Sequence, residues 1–203
     1  MDNTQSIILC SIALPFVASF LNVIFHRFEN LRDTLTLLVA IITFGLIMVI
    51  LARFNNGEIT DFSLLSVMPG LEIAFHVEPL GLLFAAIASS LWIVTHLYAV
   101  GYMRSNEEKY RARFFACFSI AIGTVLGLAF SKNLFTLFIF YEILTLSTFP
   151  LVAHKGTSEA LTGAKTYLKI LLGTSVGLQL IAIIFVYVFA GTLDFTNQGI
   201  LAG

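Results

Sequence analysis

A helix that crosses the ~30 Å hydrocarbon layer of a bilayer needs about 20 consecutive, mostly apolar residues. Six stretches of this sequence meet that requirement, at 6–25, 34–51, 80–102, 114–130, 133–153 and 161–189. Hydrophobic residues make up 58% of the 203 positions and charged residues only 11%, with a mean hydropathy of +0.94; soluble domains carry about 25% charged residues. The sequence therefore predicts an all-α integral membrane protein of about six transmembrane helices. The last stretch is long enough to tilt or to project beyond the membrane. No internal repeat, low-complexity segment or linker divides the chain, so residues 1–203 read as a single membrane domain.

Eleven Lys and Arg against twelve Asp and Glu leave a formal charge of −1, which excludes a basic nucleic-acid surface. Cys10 and Cys117 both sit in apolar stretches and read as small packing residues rather than a disulfide framework or thiolate metal cluster. The start, Met1-Asp2-Asn3, lacks the basic n-region of a secretory signal, so the first stretch reads as a retained anchor. Lys and Arg accumulate on cytoplasmic loops. Arg27, Arg32, Arg104, Lys109, Arg111, Arg113 and Lys155 fall on the first, third and fifth loops, and only Arg53 and Lys132 on the opposite side. Seven against two places both termini outside, in a multi-pass protein of the cell's inner (plasma) membrane.

One loop, at 54–79, is long enough for structure of its own. Leu71, Ile73, Phe75 and Val77 alternate with mostly polar residues, the period of a half-buried strand, and Pro69-Gly70 before them is a turn signal. A short β-hairpin is expected in this outer loop, between helices two and three. In the fifth loop, Thr157 or Ser158 is placed to cap the sixth helix, and Glu159 favours its positive end.

Ionisable residues within spans are the informative ones, since each costs at least ~2.5 kcal/mol at the bilayer centre. Glu142 lies near the middle of the fifth span, too deep to reach the interface; it either stays protonated or finds a cation or water inside the bundle. It reads as a proton carrier, with interhelical packing glue as the bland alternative. Lys165 and Lys169 share one face of the sixth helix, about 6 and 12 Å from its start, against about 16 Å for Glu142 on the antiparallel neighbour. Lys169 thus comes within reach of Glu142 in depth, whereas Lys165 can also snorkel to the interface. Of four histidines only His96 lies within a span, in a structural or a proton-relay role, so a bis-histidine haem site has no pair and no cofactor or metal is expected. Gly123 and Gly127, and Gly173 and Gly177, form small-residue faces suited to close helix approach. Thr145, Ser147 and Thr148 precede Pro150, and their hydroxyls either host water or satisfy the backbone that the proline loosens.

The run Ser131-Lys132-Asn133-Leu134-Phe135-Thr136-Leu137-Phe138-Ile139-Phe140-Tyr141-Glu142-Ile143-Leu144 resembles the fifth helix of the antiporter-like subunits shared by Mrp-type sodium/proton antiporters, respiratory complex I and membrane-bound hydrogenases. Tyr98-Ala99-Val100-Gly101-Tyr102-Met103 resembles the end of that family's third helix, Pro150-Leu151-Val152-Ala153-His154 the exit of its fifth, and Gly163-Ala164-Lys165-Thr166-Tyr167-Leu168 the beginning of its sixth. The resemblance implies two inverted five-helix repeats, each holding half of a proton path. It also implies that Glu142 matches the glutamate that pairs with a lysine on a broken seventh helix, and Lys165 the sixth-helix lysine. The sequence covers the first part of such a subunit, so the remaining helices belong either to a longer chain or to a partner.

The expected function is that of a membrane subunit in a multi-subunit complex translocating protons, or sodium as the coupling ion, through Glu142, Lys165, Lys169 and His96; the complex is of antiporter type or redox-driven. The alternative is a structural subunit that transports nothing. The loop count predicts that a cysteine introduced at Asn3 reacts with an impermeant thiol reagent in intact cells and that one at Ser105 does not. Labelling at Ser105 alone would reverse the topology.

Overall fold

The computed structural model describes residues 3–58, 61–68, 70–196 and 199–200. Six helices are long and apolar enough to cross a membrane: α1 (Asn3–Ile24), α2 (Glu29–Asn55), α3 (Pro79–Ser105), α4 (Arg111–Ala129), α5 (Leu134–Val152), and a sixth span made of α6 (Ser158–Thr174), a π-helical turn (Ser175–Gln179) and α7 (Leu180–Ala190). Between α2 and α3 lies an antiparallel hairpin of β1 (Asp61–Met68) and β2 (Leu71–His76), with register shifts between Ser63 and Leu65 and between Ser66 and Met68. Gly70 sits at its turn with φ +79°, a conformation glycine adopts without steric cost; Pro69 of the turn signal lies outside the described residues.

Helix α1 packs against α2 and α4, α4 against α3 and α5, and α5 against α6. Gly123 explains the close approach of α1 and α4, because a Cβ there would meet the Phe16 ring; one at Gly127 would meet the Phe140 ring. Gly173 and Gly177 differ: no described atom lies within 4 Å of where their Cβ would be. That face of the sixth span is open within this chain.

Two polar clasps hold the bundle at its ends. At one, β2 is tied to the start of α5. The Asn133 carboxamide accepts from Thr136 N (2.8 Å) and donates to Glu72 O (2.9 Å), and Thr136 Oγ1 accepts from Ala74 N (3.0 Å). His76 N donates to Phe130 O (2.9 Å), and Lys132 N to Ala74 O (3.0 Å). The strand period predicted the inward side correctly: Phe75 and Val77 are buried in a cluster with Ile8, Ile47, Leu82 and Leu126. Lys132 Nζ lies between Asp61 (3.0 Å) and Asp194 (3.4 Å). Hydrogen bonding to Asp61, with smaller help from Asp194, holds the lysine above its ordinary pKa against the opposing effect of burial.

At the other end the structure corrects the sequence reading. Arg32 and Asp33 belong to the first turns of α2, which begins at Glu29 instead of near 34, and both are buried. Asp33 Oδ1 accepts from Arg32 Nε at 2.8 Å and lies 2.6 Å from an Arg32 terminal nitrogen; Asp33 Oδ2 accepts from Arg104 of α3 at 2.6 Å. The Arg32 guanidinium stacks over Phe115 of α4, 5.3 Å from the ring centroid. Beside it, Thr36 donates to Asn22 Oδ1 of α1 (3.2 Å). A hydropathy window stops at the first charge; partnered charges let the helix start earlier.

Removing one partner of a buried ion pair leaves an uncompensated charge and costs about 3–5 kcal/mol. Asp33→Ala is therefore expected to lower the thermal midpoint in detergent sharply, while the double variant Arg32→Leu/Asp33→Leu loses less; equal losses would contradict the pairing. Asn133→Ala, which removes the cap of α5, is expected to cost about 1–2 kcal/mol and to speed amide exchange in β2. Asn133→Asp keeps the cap acceptor without the donor to Glu72 and should fall between Ala and the parent.

Candidate functional site

Asn133 starts α5 as its N-cap, which puts Glu142 eight residues into the helix and ten from its end at Val152, about 15 Å along the axis. There the Glu142 side chain is partly buried, and its Oε1 is inaccessible and without a hydrogen-bond partner among the described residues. Buried polar oxygens are nearly always partnered, so this one marks a position where the chain by itself leaves an interaction unmade. Thr145 and Ser147 are buried one turn further on. The hydroxyls resolve as backbone partners: Ser147 donates to Leu144 O (2.8 Å) and Thr148 to Thr145 O (2.9 Å), inside the turn that leads to Pro150.

Of the two cap candidates for α6, Thr157 is the one used, accepting from Ala160 N at 3.2 Å. The helix thus starts at Ser158, three residues earlier than the apolar pattern suggested. Lys165 and Lys169 accordingly lie about 10 and 16 Å along it, and Lys169 matches the depth of Glu142. Ala164 is buried, whereas Lys165 and Lys169 are exposed. No ion pair joins either lysine to Glu142 among the described residues. Equal depth is present, then, and contact is not. Span six is the least covered of the six, with 11% of its most apolar window buried against 39% for α1 and α4, so the lysines stand on an open flank. Below them the π turn adds one residue to the helical repeat, a local distortion frequent at functional positions, which the sequence analysis did not anticipate.

His96 belongs to a different group. It is 1% exposed on α3, and its Nε2 donates to the backbone oxygen of Asp33 (3.0 Å), which fixes the proton on that nitrogen in the neutral ring. Nδ1 has no partner among the described residues, and the ring meets Phe115 edge-on at 5.1 Å between centroids. His96 is therefore part of the Arg32–Asp33–Arg104 cluster. Sequence reasoning missed that cluster, although an Arg-Asp pair abutting an apolar stretch was a readable signal.

A second missed group sits where α5 turns into α6. His154 Nε2 lies 3.8 Å from Glu108 Oε2, its backbone oxygen accepts from Arg113 (3.3 Å), and Phe114 packs on it edge-on. Burial pushes the His154 imidazole below the ordinary histidine pKa; Glu108 pulls it back up and Arg113 adds to the depression. Among the described residues no group of three or more His, Cys, Asp or Glu is placed to hold a metal ion.

Residues 131–201 match the family described as NADH:quinone oxidoreductase/Mrp antiporter, TM, and residues 68–115 the family described as NADH-Ubiquinone oxidoreductase (complex I), chain 5 N-terminus. Over 153 residues the chain is 27% identical to the Na(+)/H(+) antiporter subunit A1 of Staphylococcus aureus, covering 73% of this chain and 19% of that protein. It thus spans about a fifth of that relative's length. Its fold superposes on a chain of the Mrp complex from Dietzia sp. DQ12-45-1b with a TM-score of 0.78 at 18% identity, over 96% of this chain and 36% of that one. It also superposes on a chain of the membrane-bound sulfane sulfur reductase, an archaeal respiratory membrane complex, with a TM-score of 0.76 at 20% identity, over 95% of this chain and 29% of that one. Six apolar helices, the hairpin clasp and the matched segments at 68–115 and 131–201 support an antiporter-type membrane subunit similar to those of Mrp and complex I.

Proposed function

We propose that this chain is part of a subunit in a multi-subunit, cation-translocating complex of the plasma membrane, and that it supplies part of a proton path through Glu142, Lys165 and Lys169, with His96 as a relay candidate. The observation that carries the proposal is the orphaned carboxylate oxygen of Glu142 at mid-helix, at the depth of a lysine on the adjoining helix. A carboxylate there changes proton affinity when a cation approaches or withdraws. A conformational or partner-driven change in the distance to a lysine would thus load and release a proton. The open flank of span six supports the further reading that other membrane subunits or further helices cover Lys165 and Lys169, since ammonium groups at that depth are costly against lipid.

Toward the hairpin end α5 carries no further Asp, Glu, Lys, Arg or His, and its one phenol, Tyr141, is next to Glu142. Nearer the hairpin the polar side chains are Asn133 and Thr136, and both are committed to β2. These groups take part in hydrogen bonds without carrying the charge, which supports a path completed by groups outside this chain.

In proteoliposomes of the whole complex, Glu142→Ala is expected to reduce ion flux at least about tenfold with insertion intact, while Glu142→Asp keeps part of it; full flux in the Ala variant would refute the proton-carrier role. The isolated chain, in liposomes with an imposed pH gradient, is expected to leak no faster than empty vesicles. Glu142-dependent flux from it would overturn the incomplete path.

A further inference from the structure

Three buried polar atoms on the facing sides of α2 and α3 belong neither to the hairpin clasp nor to the Asp33 ion pairs. His96 Nδ1, Trp92 Nε1 and Thr43 Oγ1 are inaccessible and lack a hydrogen-bond partner among the described residues, on residues that are 1%, 1% and 0% exposed. Buried polar atoms are nearly always partnered. The Trp92 indole only donates, the Thr43 hydroxyl donates and accepts, and His96 Nδ1 accepts because Nε2 holds the proton given to Asp33 O. A water molecule does both, and so joins such groups across about 5–6 Å, two hydrogen-bond lengths.

The polar side chains are spaced for such bridges. From the level at which His96 meets Asp33, Thr36 lies about 4.5 Å further into the bundle, Trp92 about 6 Å, Ser89 about 10 Å and Thr43 about 15 Å, so no axial step exceeds about 5 Å. Helices α1 and α4 complete the ring. Ser19 is buried one turn from Asn22, the partner of Thr36, and Ser119 one turn from Phe115, whose ring meets His96. Ser89 and Ser119 give their protons to Ala85 O (2.7 Å) and Phe115 O (2.8 Å) of their own helices, which leaves their oxygens free to accept. A cleft of about 280 Å³, lined by Asp33, Leu37, His96 and Arg104, opens beside His96. At the far end the interior is closed by Ile12, Ile47, Leu82 and Leu126 of the apolar cluster under the hairpin, where Ser11 spends its hydroxyl on Ile8 O.

We propose that the interior of α1 to α4 holds a one-ended file of ordered water molecules, entered at the cleft beside His96 and Arg104, passing Trp92 and ending at Thr43. Internal water settles where two to four polar groups converge, and here it accepts from the indole N–H and donates to His96 Nδ1. The file gives His96 proton exchange with the cleft and gives no passage across the membrane, because the apolar cluster stops it. It lies apart from Glu142, Lys165 and Lys169, which belong to α5 and α6, and stands whether or not those residues carry protons.

The test is X-ray radiolytic labelling of the purified full chain in lipid nanodiscs, since hydroxyl radicals formed from internal water label the side chains beside it where bulk solvent does not reach. Normalised to each residue's rate in the unfolded chain, labelling at Trp92 and His96 is expected to exceed that at Phe130, equally buried in the apolar cluster, by about tenfold. Thr43→Val keeps the shape of the side chain without its hydroxyl and should lower Trp92 labelling about threefold. Trp92 is the one tryptophan of the sequence, so ultraviolet resonance Raman reads its indole N–H without any substitution, and a hydrogen-bonded N–H is expected. A free N–H, labelling of Trp92 and His96 no higher than that of Phe130, or Trp92 labelling unchanged in a folded Thr43→Val chain would each overturn the proposal.

Discussion

The structure depends on satisfying charge where water is scarce. Lipid tails are as apolar as leucine, so helices in a bilayer are not driven together by apolar burial as they are in water; packing and polar contacts must hold them. In this chain the contact that organises one end is Asp33, whose two oxygens bind Arg32 beside it and Arg104 on the neighbouring helix. Arg32 then stacks on Phe115, and the carbonyl of Asp33 takes the His96 proton. Three helices are thereby referred to one carboxylate, and Asn22 brings in the fourth through Thr36.

The opposite end combines neutral hydrogen-bonding groups with one ion-paired lysine. Asn133 and Thr136 tie β2 to the first turn of α5, and Lys132 draws together Asp61 of β1 and Asp194 beyond α7. The hairpin thus acts as a plug on the bundle, with Phe75 seated between Phe62 and Phe140. The consequence for α5 is that its hairpin half is tied by cap and strand, while its other half ends in Pro150 and the turn at His154, where Arg113 bonds the His154 oxygen. Glu142 stands between the two regimes.

The asymmetry across the bundle is equally informative. Helices α1 and α4 meet at glycine-scale distance around Gly123, whereas the sixth span carries its glycines and its lysines on a face with little cover. A close-packed side and an open side are what a subunit built to adjoin further membrane helices should show, and the matched relatives and structures are several times longer than this chain. Within this chain the lysines therefore stand without a charged partner among the described residues.

Much of the architecture was legible because hydropathy acts locally. Six spans, a strand starting at Leu71, a cap at Thr157 or Ser158 and the mid-helix position of Glu142 all follow from residues within one window of each other, and the bilayer imposes the length. Only the tertiary structure decided that Arg32 and Asp33 lie inside the bundle, since their burial depends on Arg104, 71 residues from Asp33, and no local pattern reports a partner so distant. It likewise decided that Lys169 shares the depth of Glu142 without touching it, because depth follows from counting along a helix whereas facing depends on how two helices rotate against each other. The π turn in span six belongs to the same class: nothing in Ser175-Val176-Gly177-Leu178-Gln179 distinguishes it locally from an α-helical turn.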